Sequence, residues 1–201
     1  MTSLYDLTVP VLTKILRTEL EILKDAEKYA KENGKSVEEL LKARLIPDMY
    51  SASVQIGITV MFTKKILQIL LGNKFEADMK EVPLAESYAQ LNDALNDLAA
   101  VKPETLNGRE AEIVEFPVGK KSVKAPAVEW YVFITLHPRF IPCTLQVSFD
   151  SSTNYIGIIQ RSVMSQMYFH MNILYAVLRK EGVPLGKPLY LTHYLEGWTL
   201  E

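Results

Sequence analysis

Four side chains are the strongest candidates for chemistry: an imidazole, a carboxylate, an amide and a phenol. His170 stands in an apolar helical stretch, on a stripe formed by Met167, His170, Ile173, Leu174 and Val177. This spacing predicts that the imidazole points into the protein. Asp48 and Gln55 are two helical turns apart, so a helix through both would place them on one face. We therefore take His170 and Asp48 as candidate catalytic residues, and Gln55 and Tyr175 as candidate ligand-binding residues.

The partner of His170 decides what its imidazole can do. A buried ring nitrogen without a hydrogen bond costs about 1–3 kcal/mol, so a polar group must face it. If the partner is Asp48, the ring is held in one tautomer and can act as a base or a ligand; if it is Gln55, a neutral structural bond is expected. A buried histidine with a satisfied hydrogen bond is the commoner case. Metal sites usually need three or more ligands, so no tightly bound metal and no cofactor are predicted.

Helical periodicity predicts the elements that would position these groups. Long helices are predicted over residues 12–30, 47–71, 84–101 and 161–180. Pro47 is interpreted as a first-turn residue of the second long helix, with Asp48 beside its N-terminus. A change to short β-like pieces around Gly119 predicts a small hairpin within residues 109–124. The fold class expected from four long helices is an all-α four-helix bundle.

Residues 132–160 do not fit this scheme. The block contains no Lys, Glu, Ala or Met, and it is rich in β-branched and aromatic residues interrupted by Pro138 and Pro142. Such a composition cannot continue a helix. We interpret the block as an irregular insertion before the last helix, and its foreign composition fits a retained intron translated in frame. It also holds His137 and Cys143, whose pairing as a nucleophilic couple is not favoured because no third group orients them.

Composition limits the class of protein. A chain of 201 residues with 48% hydrophobic residues predicts one domain over residues 1–201. With 22 basic and 24 acidic residues there is no basic field for nucleic acid. The longest apolar run, residues 49–63, is too short to cross a bilayer, so no membrane partner is predicted. A single cysteine and the absence of a signal-peptide pattern at the N-terminus predict a cytoplasmic location.

The C-terminal segment, residues 188–201, is called the aromatic tail here. Tyr190, Tyr194 and Trp198 recur every four residues in it, a spacing that predicts docking onto the chain's own bundle or onto a twin subunit. His193, in the same tail, is expected to be exposed. The tail is the main reason to expect a homodimer.

Three stretches resemble a family of domains of unknown function within the DinB-like superfamily of four-helix bundles: "SLYDLTVPVL", "ARLIPDMYSASVQI" and "MYFHMNILYAVLRKEGVPLGK". The resemblance implies a helical bundle that is often dimeric. Several superfamily members bind a divalent metal through three histidines, one on the second helix and two one turn apart on a later helix. Here the second helix has no histidine, and Leu174 stands one turn after His170, so a degenerate metal site is expected.

Two classes of function follow from these features. The first is an enzyme or binding protein for a small polar molecule held in an interior pocket. The second is a non-catalytic dimeric module in which the polar cluster is structural. The sequence does not decide whether the protein is an enzyme, and it names no substrate.

Overall fold

The structure is a computed structural model that describes residues 3–71, 79–109, 113–118, 121–126 and 163–197. The predicted insertion over residues 132–160 lies outside the described residues, together with His137, Cys143 and Trp198. The organisation of residues 1–201 as one domain with this insertion therefore stays a prediction.

Helix α1 (Leu4–Glu32) begins at a capping box and ends at the C-cap residue Asn33. The Ser3 hydroxyl accepts a hydrogen bond from the Asp6 N–H at 3.1 Å, and the Asp6 carboxylate accepts one from the Ser3 N–H at 3.2 Å. This reciprocal pair satisfies backbone donors that the first turn leaves without helical partners. The chain leaves α1 through Asn33 and Gly34, whose φ of 62° is in the left-handed region that favours glycine.

A β-turn separates the short helix α2 (Val37–Lys42) from the long helix α3 (Ala52–Leu71). The Met49 N–H donates to the Ile46 carbonyl oxygen at 3.1 Å, which puts Pro47 at the second turn position, where its fixed φ is favoured. The prediction that the second long helix starts at Pro47 is therefore wrong. The helix starts at Ala52, and Asp48 is an exposed turn residue.

The remaining described elements follow in chain order. Helices α4 (Leu84–Ala99) and α5 (Pro103–Leu106) precede strands β1 (Ile113–Val118) and β2 (Lys121–Pro126). The strands pair antiparallel, with Ile113 opposite Pro126 and Val118 opposite Lys121. Helices α6 (Val163–Lys180) and α7 (Lys187–Leu191) end the described helical structure.

The four longest helices of the described residues, α1, α3, α4 and α6, pack around one core. Helix α3 packs against α4 and α6, and α1 also packs against both. Each helix buries large apolar side chains, among them Leu12, Ile15, Ile56, Ile66, Leu91, Leu98, Met171 and Leu174. The predicted all-α bundle is confirmed. Within the described part of the chain, no helix is long and apolar enough to span a membrane.

Candidate functional site

Gln55 and His170 form a hydrogen-bonded pair between α3 and α6. Gln55 lies in the first turn of α3 and is 2% exposed. Its Oε1 atom lies 2.7 Å from His170 Nδ1, and its Nε2 atom donates to the Tyr50 carbonyl oxygen at 3.1 Å. The predicted contact between His170 and Gln55 is therefore present, and both ends of the amide are engaged.

The environment of Gln55 fixes the tautomer of His170. A carbonyl oxygen can only accept, so the amide must direct its NH₂ group to Tyr50 and its oxygen to the imidazole. Because that oxygen also only accepts, His170 Nδ1 must carry the proton. Burial lowers the pKa of His170 to about 4, so the ring is neutral at pH 7. His170 Nε2 therefore carries a lone pair that can accept a hydrogen bond.

Aromatic rings surround the imidazole. The Phe169 ring meets it edge to face with ring centroids 5.3 Å apart, and the buried Phe62 ring lies at 6.2 Å. Phe169 and Tyr50 are 52% and 53% exposed, which is unusual for large rings beside a bundle core. The pair thus lies at the edge of the core, where outside molecules have aromatic surface to contact.

Asp48 does not occupy the predicted position opposite His170. The turn that holds it is tied by Arg44, whose guanidinium donates to the Met49 carbonyl oxygen at 2.7 Å and to Glu81 at 2.6 Å. Because α3 begins after this turn, Asp48 shares no helical face with Gln55. The Pro-Asp pattern of a helix start is also typical of a β-turn, and here the turn forms.

Tyr175 lies on α6 but is turned away from the pair. It follows His170 by five residues, which rotates it by about 140° around the helix. Its hydroxyl donates to the Leu185 carbonyl oxygen at 3.2 Å and so ties α6 to the segment before α7. Its ring meets that of Tyr190 edge to face at 6.0 Å. In the structure the Tyr175 hydroxyl is hydrogen-bonded to the backbone, and a ligand-binding role for Tyr175 stays a prediction.

Glu19 of α1 is a buried acidic group that the sequence analysis missed. It is 0% exposed, and among the described residues it is the only charged side chain that is buried. Its spacing from Ile15 and Ile22 places it on the apolar stripe of α1, which was a signal that could have found it. Thr59, one turn after Gln55 on α3, contacts it from the opposite helix.

Burial and the contacts of Thr59 favour the neutral acid form of Glu19. Thr59 Oγ1 lies 2.6 Å from Glu19 Oε2 and 2.8 Å from the Ile56 carbonyl oxygen, but a hydroxyl has one hydrogen to donate. A proton on Glu19 Oε2 resolves this, because the acid then donates to Thr59 and Thr59 donates to Ile56. Burial raises the pKa of Glu19 well above its usual value. No described residue donates to the buried Glu19 Oε1 atom.

The described part of the aromatic tail packs on α1 and α6 beside Glu19. The Tyr190 and Tyr194 rings stack at 6.2 Å, and Tyr194 lies 6.1 Å from Tyr168. Burial, then the nearby Tyr168 phenol, raises the pKa of Tyr190, and the Glu19 carboxylate adds to the rise. The buried Tyr194 hydroxyl makes no hydrogen bond of good geometry with a described residue. The predicted docking of the tail onto its own bundle is therefore present for Tyr190 and Tyr194.

His193 is not exposed as expected. Its side chain is 14% exposed, and its Nδ1 atom lies 2.6 Å from Glu196 Oε1. Glu196 in turn lies 3.8 Å from Arg17 of α1, so the tail is also held by charge. The enclosure of His193 was not predictable from the spacing of the tail residues, because it depends on the contact with Glu196 and on where the tail lies against α1. Among the described residues, no group of three His, Cys, Asp or Glu side chains could hold a metal ion.

Comparisons with known proteins agree on the fold. A family model described as "Domain of unknown function (DUF1993)" matches residues 4–141 and 146–191. A solved crystal structure of a DinB family member protein from Shewanella denitrificans is 23% identical to the chain, with a TM-score of 0.69. The match covers 94% of this chain and 91% of that one. None of the curated proteins compared with the chain matches it.

Proposed function

The chain belongs to the DUF1993 family of domains of unknown function, and we propose that it binds a small polar molecule at the Gln55–His170 pair. The predicted resemblance to a family of domains of unknown function is confirmed by the family match, and the predicted DinB-like fold is confirmed by the likeness to a DinB family structure. Family membership by itself names no ligand. The proposal is carried by one observation, the fixed tautomer that leaves His170 Nε2 as an acceptor.

The expected ligand is a molecule that donates a hydrogen bond and has an apolar or aromatic part. A neutral imidazole offers a lone pair, so the complementary group is an O–H or N–H. The exposed Phe169 ring, 5.3 Å from the imidazole, supplies apolar contact beside it, and sites for small molecules typically combine apolar walls with a few placed polar groups. A pKa of about 4 makes His170 a weak general base at pH 7, so the proposal is a binding role.

The variant Gln55→Glu tests the proposal by changing His170 Nε2 from a hydrogen-bond acceptor to a donor. A carboxylate next to Nδ1 favours the charged imidazolium, so Nε2 becomes a donor instead of an acceptor. Phenol, which donates through its hydroxyl, is expected to shift the His170 ring nitrogens in NMR spectra of the wild-type protein. It should lose this effect in Gln55→Glu. An equal response to phenol in the two proteins, or none in the wild type, would contradict the proposal.

A second candidate is a non-catalytic homodimeric module with a degenerate metal site. The observation that favours it is the Gln55 hydrogen bond, because core histidines without catalytic roles are held in the same way. The exposed Phe169, Tyr50 and Ile46 side chains would then be contact surface for a second copy. Sedimentation separates the two candidates, since Phe169→Ser should yield monomers only in the second. A cytoplasmic location stays a prediction from the single cysteine.

A further inference from the structure

We propose that Glu19 is the anion of a second site, which takes the ammonium group of a small primary amine between α1, α3 and the tyrosines of α6 and the aromatic tail. This site goes beyond the proposed function, because it needs neither Gln55 nor His170. It rests on the buried Glu19 Oε1 atom, which receives no hydrogen bond from the described residues.

The first step concerns the unused oxygen. Glu19 Oε2 is engaged by Thr59, whereas Oε1 is enclosed and has no donor in the described chain. Nearly all buried polar atoms in proteins have partners, and leaving one without a partner costs about 1–3 kcal/mol. A leucine or methionine on this stripe of α1 would avoid that cost. The described residues thus leave Oε1 available to a donor from a ligand.

The second step concerns the class of ligand. An oxygen that lacks a donor requires an N–H or O–H group. Tyr190 lies close enough to Glu19 for the carboxylate to raise the pKa of its phenol. The Tyr190 ring stacks on Tyr194 at 6.2 Å, and Tyr194 lies 6.1 Å from Tyr168. Aromatic faces attract cations within about 6 Å. A buried carboxyl group beside several phenol rings favours an ammonium group over a neutral donor. Because Glu19 is fully enclosed, the ligand must present its ammonium on a slim aliphatic end.

The third step concerns the proton. In the free protein Glu19 is protonated, so an ammonium ion that binds must displace this proton: the acid O–H bond breaks, the proton leaves to the solvent, and the carboxylate pairs with R–NH₃⁺. The other titratable groups of the cluster are Tyr168 from α6 and Tyr190 and Tyr194 from the tail. Burial raises the pKa of each phenol above its usual value. From α3, the facing group is the hydroxyl of Thr59. Glu19 is therefore the group that releases a proton.

The test follows the ionisation of Glu19 with methylammonium chloride as the probe. The full-length protein is labelled with ¹³C at the glutamate carboxyl carbons, and Glu19→Gln identifies the Glu19 signal. Methylammonium is expected to move this signal from the position of a protonated acid to that of a carboxylate, in a saturable manner. Methanol, a neutral donor of the same size, and potassium chloride at equal ionic strength are expected to leave it unchanged.

Three outcomes decide the proposal. A saturable ionisation with methylammonium alone supports it, and the response should persist in His170→Asn, which separates this site from the proposed function. The proposal is overturned if the Glu19 signal does not respond to methylammonium at up to 100-fold the protein concentration, nor at higher concentrations up to those at which salt effects begin. An ordered water would then be the partner of Oε1. An equal response to methanol or to potassium would also overturn it.

Discussion

Two polar pairs lie one turn apart on the same face of α3, and they differ in what each leaves unused. In the Gln55–His170 pair, the amide is engaged at both ends, and the unused group is an imidazole lone pair near exposed rings. In the Thr59–Glu19 pair, the unused group is a buried carboxyl oxygen of a side chain that lies near Tyr190 of the aromatic tail. The comparison shows that hydrogen-bond partners alone do not identify a site. The two pairs differ in which hydrogen-bonding group remains unused and in whether a molecule from outside can reach it.

Removal of the tail is expected to have the largest effect, and it should change the ionisation of Glu19 but not the tautomer of His170. A chain ending at Gly186 loses the packing of Leu189, Tyr190 and Tyr194 on the core, and its free energy of unfolding is expected to fall by more than about 3 kcal/mol. Glu19 should then ionise near its usual pKa, whereas His170 should keep its tautomer. Urea denaturation and NMR titration measure both effects. A chain ending at Gly197 is the matched control, and equal stability of the two truncated chains would refute the account of the tail.

Gln55→Leu should break the first pair. The substitution leaves the His170 Nδ1 proton and the Tyr50 carbonyl oxygen without their partner, and each loss costs about 1–3 kcal/mol. We expect a destabilisation of roughly 2–4 kcal/mol in urea denaturation. Gln90→Leu, at a half-buried glutamine of α4, is the control and should change stability by less than about 1 kcal/mol. Similar losses in the two variants would mean that the pair contributes little.

Thr59→Val should break the second pair with a smaller effect. The valine keeps the shape of threonine but removes the hydroxyl that accepts the Glu19 proton, so an expected loss of about 1–3 kcal/mol follows. Thr63→Val is a matched control one turn along α3, because its hydroxyl donates only to the Thr59 carbonyl oxygen at 3.0 Å. If both valine variants lose the same stability, Glu19 does not depend on Thr59.

Glu19→Gln should change how stability depends on pH. The folded-state pKa of Glu19 is raised, so the folded protein holds a proton that the unfolded chain releases above about pH 4.5. Wild-type stability therefore falls as the pH rises from 4.5 through the folded-state pKa, and this component is absent in the variant. Glutamine can donate to Thr59 as the protonated acid does. We expect equal stability at pH 4 and a more stable variant at pH 8; a less stable variant at pH 8 would refute the neutral acid.

The sequence predicted the bundle and one of the two pairs. Apolar periodicity located the four long helices, and the inward stripe of α6 identified His170. The sequence left Asp48 and Gln55 as alternative partners of His170. Asp48 could not be excluded because Pro47-Asp48 fits both a helix start and a β-turn. Glu19 was missed because an acidic residue on α1 is expected to face solvent, although its spacing from Ile15 and Ile22 places it on the apolar stripe; the contact with Thr59 appears only in the fold. The enclosure of His193 likewise depends on contacts between α1 and the tail.

The most direct test of the central claim is the tautomer and pKa of His170 by NMR of its ring nitrogens. The account predicts a neutral ring with the proton on Nδ1 at pH 7, still neutral at pH 5.5, with titration only as the pH approaches about 4. His193, which contacts Glu196, is the internal reference in the same spectra. A proton on Nε2 at pH 7, or titration of His170 near its ordinary pKa of about 6.5, would contradict the account.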